Sequence, residues 1–527
     1  MSKPHSITRA ALVVSSSTFV SRILGFIRDI LIFRYFDKTT TDAFIVAFRI
    51  PNLMRRLFGE GALSVSFIPI FTDYLRNKTK EEARELVAVS FTYLSIAVCL
   101  CTLLAHLFAR EIIQFLAMGP GFSQIPQKYM LSAELLKVMF PYLIFISLVS
   151  LAMGILNSLK HFFVPAIAPV FLNLSIIAGI LFFRSFFEAP IFSVAWGVFL
   201  GGVAQILLQV PWLVKHGYFP KISLNWNHPG FQKVMRLMLP AVIGLSSIQF
   251  SILIVQEFAS FLKYEGAISF LFLADRMIQF PLGVFAIAFG TALLPSLADH
   301  VATQNHTKFK EHFLLGIRSV SFISMPAMVG LIVLDVPLIR ILFERGHFTG
   351  ESTLATAEAL SFYAFGLWSA SLQRVVVPAY YAFHNTLAPA VFSFVSLFLN
   401  VVFCFLLIVP LQHGGLALAT SLSSILQIFI LMVYFKKKYI SFSWKEFLVP
   451  QLKYIFCALV MGAFLYGLRI DFSWEATEAK MISTFILICF IFLGFCLYVG
   501  MAYLFKLPEV EIVINTVKMR FRKGARS

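Results

Sequence analysis

Runs of about twenty apolar residues recur from one end of this chain to the other, separated by short polar stretches, and that recurrence leaves few folds open. Lipid offers no hydrogen-bond partner to a peptide group, so a segment crossing it must satisfy its own backbone, and roughly 20 helical residues cover the ~30 Å hydrocarbon core. The expected fold is all-α, a polytopic membrane bundle of about 14 transmembrane helices. The spans read as 10–35, 41–72, 86–109, 132–158, 163–183, 190–214, 236–262, 266–298, 314–343, 355–384, 387–410, 413–435, 449–468 and 481–505. Composition agrees: 59% of the 527 residues are apolar, 13% are charged and 60 are phenylalanine, unlike any soluble globular chain. The opening "MSKPHSITR" leads into a full-length apolar segment without a small-residue cleavage site, which reads as a retained first helix.

The formal charge of +17 would suit nucleic acid, but the placement of the basic residues excludes that partner. Lys3, Arg9, Arg76, Lys78, Lys80, Arg84, Lys160, Lys215, Lys221, Lys233, Lys308, Lys310, Lys436 to Lys438, Lys445 and the tail "KMRFRKGARS" fall on one side of a fourteen-crossing scheme. The opposite loops hold Lys38, Lys128, Arg184, Lys263, Arg340, Arg345, Arg469 and Lys480. The positive-inside rule then makes both termini cytoplasmic, and an even helix count puts them on the same side. These loop charges read as topology signals and contacts to lipid head groups. The six cysteines (Cys99, Cys101, Cys404, Cys457, Cys489 and Cys496) sit inside expected spans without a CxxC or a companion histidine cluster, and read as packing residues with neither disulfide nor metal role.

The chain also resembles itself at an offset near 225 residues. "ELLKVMFPYL" from Glu134 aligns with "EALSFYAFGL" from Glu358, and the same offset brings Pro165 onto Pro389. "FLN" at 171–173 recurs at 398–400, and Pro69 of "SFIPIF" pairs with Pro295 of "ALLPSL". Helices 1–6 and 7–12 are therefore expected to form two six-helix lobes around a central cavity, with two extra C-terminal helices. The corresponding domains are 1–220, 221–440, and 441–527, the last holding helices 13–14 and the basic tail. Six is even, so the copies run in the same direction and their pseudo-twofold axis lies along the membrane normal.

Against this apolar background, charges inside the spans stand out. In the first helix Ser15, Thr18, Arg22, Gly25 and Asp29 recur at spacings of three and four, one face of a helix, which Ser21 and Arg28 widen. Arg34 is near enough to an end to anchor at the interface. The second span carries Asp42, Arg49 and Arg56 every seven residues, beside Asn52, Arg55, Gly59, Glu60 and Ser64, and Pro51 with Gly59 and Gly61 is expected to bend it. Helix 8 contributes Asp275, Arg276 and Gln279. Facing lipid, Arg22, Arg28, Arg55 and Arg276 would cost on the order of ten kcal/mol together, comparable with the stability of a whole fold. They have to face water or counter-charges, and Asp29, Asp42, Glu60 and Asp275 are too few to neutralise Arg22, Arg28, Arg49, Arg55, Arg56 and Arg276. A hydrated cavity with surplus arginine attracts an anion, and guanidinium fits phosphate through paired hydrogen bonds.

At these residues the chain resembles the MurJ (MviN) family of lipid II flippases, within the superfamily of MATE drug exporters and polysaccharide flippases. The matching stretches are "SRILGFIRD" (21–29), "TDAFIVAFRIPNLMRRLFGEGALSVSFIPIF" (41–71), "LKVMFPYLIFISL" (136–148), "FVPAIAPVFLN" (163–173) and "ADRMIQFPLGVFAIAFGTALLPSL" (274–297). The resemblance implies two six-helix lobes around a V-shaped cavity, with a groove at helices 13 and 14 for a lipid tail. It implies substrate contacts at Arg22, Arg28, Arg55 and Arg276, supported by Asp29, Asp42, Asn52, Arg56, Glu60 and Asp275. The implied substrate is lipid II, a disaccharide-pentapeptide on undecaprenyl pyrophosphate, carried across a bacterial inner membrane by a chain that works as a monomer among membrane lipids. Gln279 departs from the acid that some relatives carry after "ADRxx". No cofactor is expected, although some members of the family are associated with a sodium site in the second lobe; membrane potential is the expected drive, with sodium and chloride both left open. Helix 7 offers a sodium ion only Ser246, Ser247, Gln249 and Glu257.

Two alternatives compete. A polysaccharide-lipid or drug exporter of the same superfamily shares the architecture, but a cation-coupled drug exporter calls for surplus acids where this chain has surplus arginine. A membrane enzyme or assembly scaffold lacks support: there is no phosphate-loop motif, "FGEGALS" follows no strand, and His106, His161, His300 and His384 are scattered.

Overall fold

The computed structural model describes residues 4–55, 63–283, 287–472 and 480–510, and no strand occurs among them. The chain divides into two compact units, one of residues 1–269 with 345–348 and the other of 270–344 with 349–527. The division lies beyond position 220 because α11 (Pro229–Phe261) packs on elements of the first unit, among them α3 (Leu63–Asn77) and α4 (Lys80–Leu107).

The first unit also holds α1 (Pro4–Tyr35), α2 (Lys38–Met54), α5 (Ala109–Leu116), α6 (Pro120–Ser123), α7 (Pro126–Met139), α8 (Tyr142–Ser158), α9 (Phe163–Ala178) and α10 (Phe192–His216). It ends in the first residues of α12 (Ala267–Pro281). Its core joins Phe67, Phe71, Leu86, Leu151, Ile155, Leu213 and Phe231. The second unit continues α12 and adds α13 (Ile287–Ala302), α14 (His306–Val333), α15 (Asp335–Phe343), α16 (Gly350–Ala364), α17 (Leu367–Ala382), α18 (Leu387–Lys438), α19 (Trp444–Asp471) and α20 (Lys480–Leu504). The two appended helices pack here, α19 against α14 and α20 against α19. Tyr498 of α20 donates to the carbonyl of Phe322 on α14 at 2.9 Å.

Where it is described, each expected span is helical over most of its length, and among the described residues eight helical stretches are long and apolar enough to cross a membrane, Pro126–Ser158 and α18 among them. Several spans are two helices in series. Span 132–158 is interrupted at Pro141, which has no N–H to give, and span 355–384 at Gly366, where a Cβ would lie 2.8 Å from Ser421 Oγ. Conversely, α18 runs through two expected spans and breaks at Gln412, whose φ of 47° and ψ of −127° leave the helical region. In the second span α2 ends at Met54 and α3 begins at Leu63; Arg56, Gly59, Glu60 and Gly61 lie outside the described residues.

The cysteines form no disulfide, and Cys404 and Cys457 are packing residues as expected. Cys99, Cys101 and Cys496 are not: they lie on exposed helix surface, where a weakly polar thiol costs little against lipid.

Close approach of α9 and α10 rests on small residues. A Cβ on Gly197 would meet the Cα of Ile176 at 2.7 Å, and one on Gly201 the Cα of Leu172 at 3.0 Å. Backbone cannot yield as a flexible side chain does, so the glycines let the two helices touch. Gly197→Leu is expected to push them apart, costing about 1–3 kcal/mol and lowering the melting temperature of the detergent-solubilised protein; an unchanged melt would show that the contact is loose.

Candidate functional site

On α1 the apolar residues Phe19, Val20, Ile23 and Ile27 are exposed, while Gly25, Asp29, Ile32 and Phe33 turn inward. Arg22 and Arg28 stand between these faces, half-buried. Arg28 is held on three sides. Its Nε and Nη2 donate to Asp29 Oδ1 at 2.9 and 2.6 Å, and its Nη1 donates to Asn173 Oδ1 at 3.1 Å. Asn173 completes the link by donating to the carbonyl of Ser21 at 3.0 Å, which ties α9 to α1. Arg28 is thus fixed in direction and has its own carboxylate. Arg22, one turn and a half earlier, has no ion pair or hydrogen bond with another described side chain.

In the second span two arginines meet side-chain amide oxygens. Arg55 donates through Nε and Nη2 to Asn52 Oδ1 at 3.3 and 3.2 Å, and Arg49 donates through Nε to Gln256 Oε1 at 2.5 Å. Gln256 is buried and passes the link on, donating to the Leu116 carbonyl at 3.3 Å. An amide oxygen solvates and orients a guanidinium without cancelling its charge.

Asp42 does not serve the arginines. Only 2% exposed, it accepts from Lys128 Nζ at 2.9 Å, Gly266 N at 3.1 Å, Ser269 N at 2.9 Å and Ser269 Oγ at 2.6 Å. Lys128 itself is buried, with its ammonium over the Phe122 ring at 6.0 Å. The reading of Lys128 as a loop topology signal is therefore corrected: it sits two residues into α7, where it is the charge partner of a buried carboxylate. With Asp42 so occupied, the first unit has still fewer acids to set against its arginines.

In the second unit, Asp275 and Arg276 are half-buried neighbours on α12, and Gln279, one turn on, donates to Asp275 Oδ2 at 2.7 Å. An amide at this position braces the Asp275 carboxylate, where an acid would repel it. Arg56 and Glu60 lie outside the described residues, as do the side chains of Ser246 and Ser247. Glu257 is engaged structurally, its Oε1 accepting from Met118 N at 3.0 Å. Among the described residues no group of three or more His, Cys, Asp or Glu side chains could hold a metal ion.

Sequence reasoning missed Asn173, Gln256 and Lys128. Asn173 had a signal, being the polar member of the repeated "FLN"; its counterpart Asn400 also links helical segments, donating to Thr420 Oγ1 at 3.3 Å. The other two are contacts across 207 and 86 residues and carry no local pattern.

Removing one partner of a buried pair exposes the other to an uncompensated site, at about 3–5 kcal/mol. Lys128→Met is expected to destabilise the solubilised protein by about that amount, and adding Asp42→Asn should recover part of the loss; a Lys128→Met protein that melts like the parent would show the pair to be solvated.

The geometry can be set beside known proteins. The family described as "Lipid II flippase MurJ" matches residues 34–485. The chain is 37% identical over 463 residues to the probable lipid II flippase MurJ of Buchnera aphidicola subsp. Acyrthosiphon pisum, covering 88% of this chain and 90% of that one. It is 33% identical over 505 residues to the lipid II flippase MurJ of Burkholderia cenocepacia, covering 94% and 96%. A solved structure, "Lipid II flippase MurJ, inward closed conformation", superposes with a TM-score of 0.80 at 27% identity, covering 94% of this chain and 98% of that chain. An inward-facing MATE multidrug transporter matches with a TM-score of 0.65 at 14% identity, covering 81% and 98%, a likeness of fold alone. With the family model matching most of the chain and relatives above 30% identity aligned nearly end to end, this multi-pass membrane chain belongs to the MurJ lipid II flippase family.

Proposed function

We propose that this chain moves lipid II from the inner to the outer leaflet of a bacterial inner membrane by alternating access, acting as a carrier rather than an enzyme. The observation that carries the reading is the treatment of charge in the first unit. Arg22 has no partner among the described residues, the contacts of Arg49 and Arg55 include the amide oxygens of Gln256 and Asn52, and Asp42 is taken by Lys128. Arginines kept positive at membrane depth suit a pyrophosphate, which they bind through several oxygens at once. Arg22, Arg28 and Arg55 are the proposed contacts of the first unit, and Arg276 is the proposed contact of the second. Asp29, Asn52 and Asp275 orient the arginines beside them, and Arg56 and Glu60 support the same stretch. Asp42 acts at a distance from the substrate, through the clasp with Lys128, Gly266 and Ser269.

The chain works as a monomer with both termini in the cytoplasm and needs no cofactor. An inside-negative potential draws an empty, positively charged site back toward the cytoplasm, at about 2.3 kcal/mol per charge per 100 mV. Potential thereby favours resetting of the empty carrier, with coupling to sodium or chloride left to the measurement below.

In a bacterium depleted of its own lipid II flippase, the parent chain is expected to restore growth, while Arg22→Gln and Arg28→Glu, present in the membrane at parental levels, are not. Normal growth on Arg28→Glu would remove the proposed site. In proteoliposomes of fixed ion content, an imposed inside-negative potential should raise the rate of head-group appearance on the far leaflet; indifference to potential, with dependence on sodium, would replace the electrical drive by ion coupling.

A further inference from the structure

Arg374 belongs to none of the motifs described above, and its setting is unusual. In the expected span 355–384 it lies ten residues from the nearer end, about 15 Å along a helix, a long reach for a side chain seeking the interface. The inward face of α17 is Ser371, Leu372, Val375, Val376, Ala379 and Tyr380. Arg374 points the other way and is exposed.

The orientation is fixed by its neighbours. Gln373 Nε2 donates to Ser424 Oγ and Gln427 Oε1, both at 3.1 Å, and Tyr380 Oη donates to the Leu431 carbonyl at 2.6 Å, so α17 cannot roll against α18. Tyr381, two turns along the exposed face, is 45% accessible. Among the described residues Arg374 has no hydrogen-bond or ion-pair partner, in contrast to the fully braced Arg28.

The internal repeat sharpens the contrast. The offset of 224 places Arg374 on Ser150 of α8, a buried serine whose hydroxyl closes back on the Ile146 carbonyl at 2.7 Å. The duplicated helix therefore packs well without a charge at this position. An arginine there, mid-membrane and unpaired, costs several kcal/mol unless it meets water and an anion.

We propose that Arg374 is a binding contact of the second unit for an oxyanion of the translocated head group, either a phosphate or a peptide carboxylate. The proposal rests on the flippase reading given above. Guanidinium offers either group two parallel N–H donors, and Tyr381 adds an aromatic surface along the same face.

The test is binding to the full-length protein in nanodiscs, with undecaprenyl pyrophosphate and complete lipid II as probes. Arg374→Gln is expected to weaken lipid II by about tenfold or more, Arg374→Lys by less, with unchanged elution and melting. Equal weakening of undecaprenyl pyrophosphate assigns the contact to phosphate, and weakening of lipid II alone assigns it to a head-group carboxylate; either supports the proposal. Parental binding of both probes by Arg374→Gln, alongside loss in Arg22→Gln, overturns it and leaves the flippase reading intact. Parental binding by both variants overturns that reading and this inference with it. Should Arg374→Gln fail to fold, phenylglyoxal modification of the parent, read by mass spectrometry, decides: modification at Arg374 that lipid II suppresses supports the contact, and a modification that lipid II leaves unchanged, or none at all, removes it.

Discussion

A guanidinium inside a membrane protein must be solvated by the protein, by water or by its substrate, since lipid gives it nothing. The charged helices of the first unit answer this constraint in three different ways. Arg28 receives a carboxylate and an amide; the partners of Arg49 and Arg55 include amide oxygens; Arg22 receives no described side chain. These grades of solvation differ in what they leave over. A carboxylate cancels charge and fixes direction, an amide fixes direction alone, and an unpaired arginine keeps its full attraction for an incoming anion.

The same constraint explains the Asp42 clasp. A buried carboxylate needs partners for its several lone pairs, and Asp42 finds an ammonium, two backbone amides and a hydroxyl. Such a pair adds little net stability over apolar packing, but it penalises every arrangement that separates its members. Its value is in specifying one register of α2, α7 and the 266–269 turn.

The architecture was legible from apolar run length, because the thickness of a bilayer sets that length, and Pro141 and Gly366 then mark where a span is really two helices. The arginine positions were legible too, since charge in an apolar run is visible without knowing the fold. The partners were not. Asn173, Gln256 and Lys128 meet Arg28, Arg49 and Asp42 across more than eighty residues each, and nothing local in "FLN", "VQEF" or "PQKYM" announces it. Lys128 was the instructive miss: two residues into a helix after Pro126 it looks like an interfacial lysine, and only the tertiary fold shows that its ammonium is turned inward. Arg374 escaped for the opposite reason, as a single charge without the periodic companions that drew notice to α1 and α2.

The break at Gln412 has a mechanical consequence. The two limbs of α18 are joined through one non-helical residue, and a Cβ on Gly415 would fall 2.2 Å from the Leu407 carbonyl, so the limbs are pressed together at the bend. A hairpin pinched so tightly has its pivot at that tip. Any splaying of the pair grows with distance from the tip and is greatest at residues 387 and 438, like tongs hinged at one end.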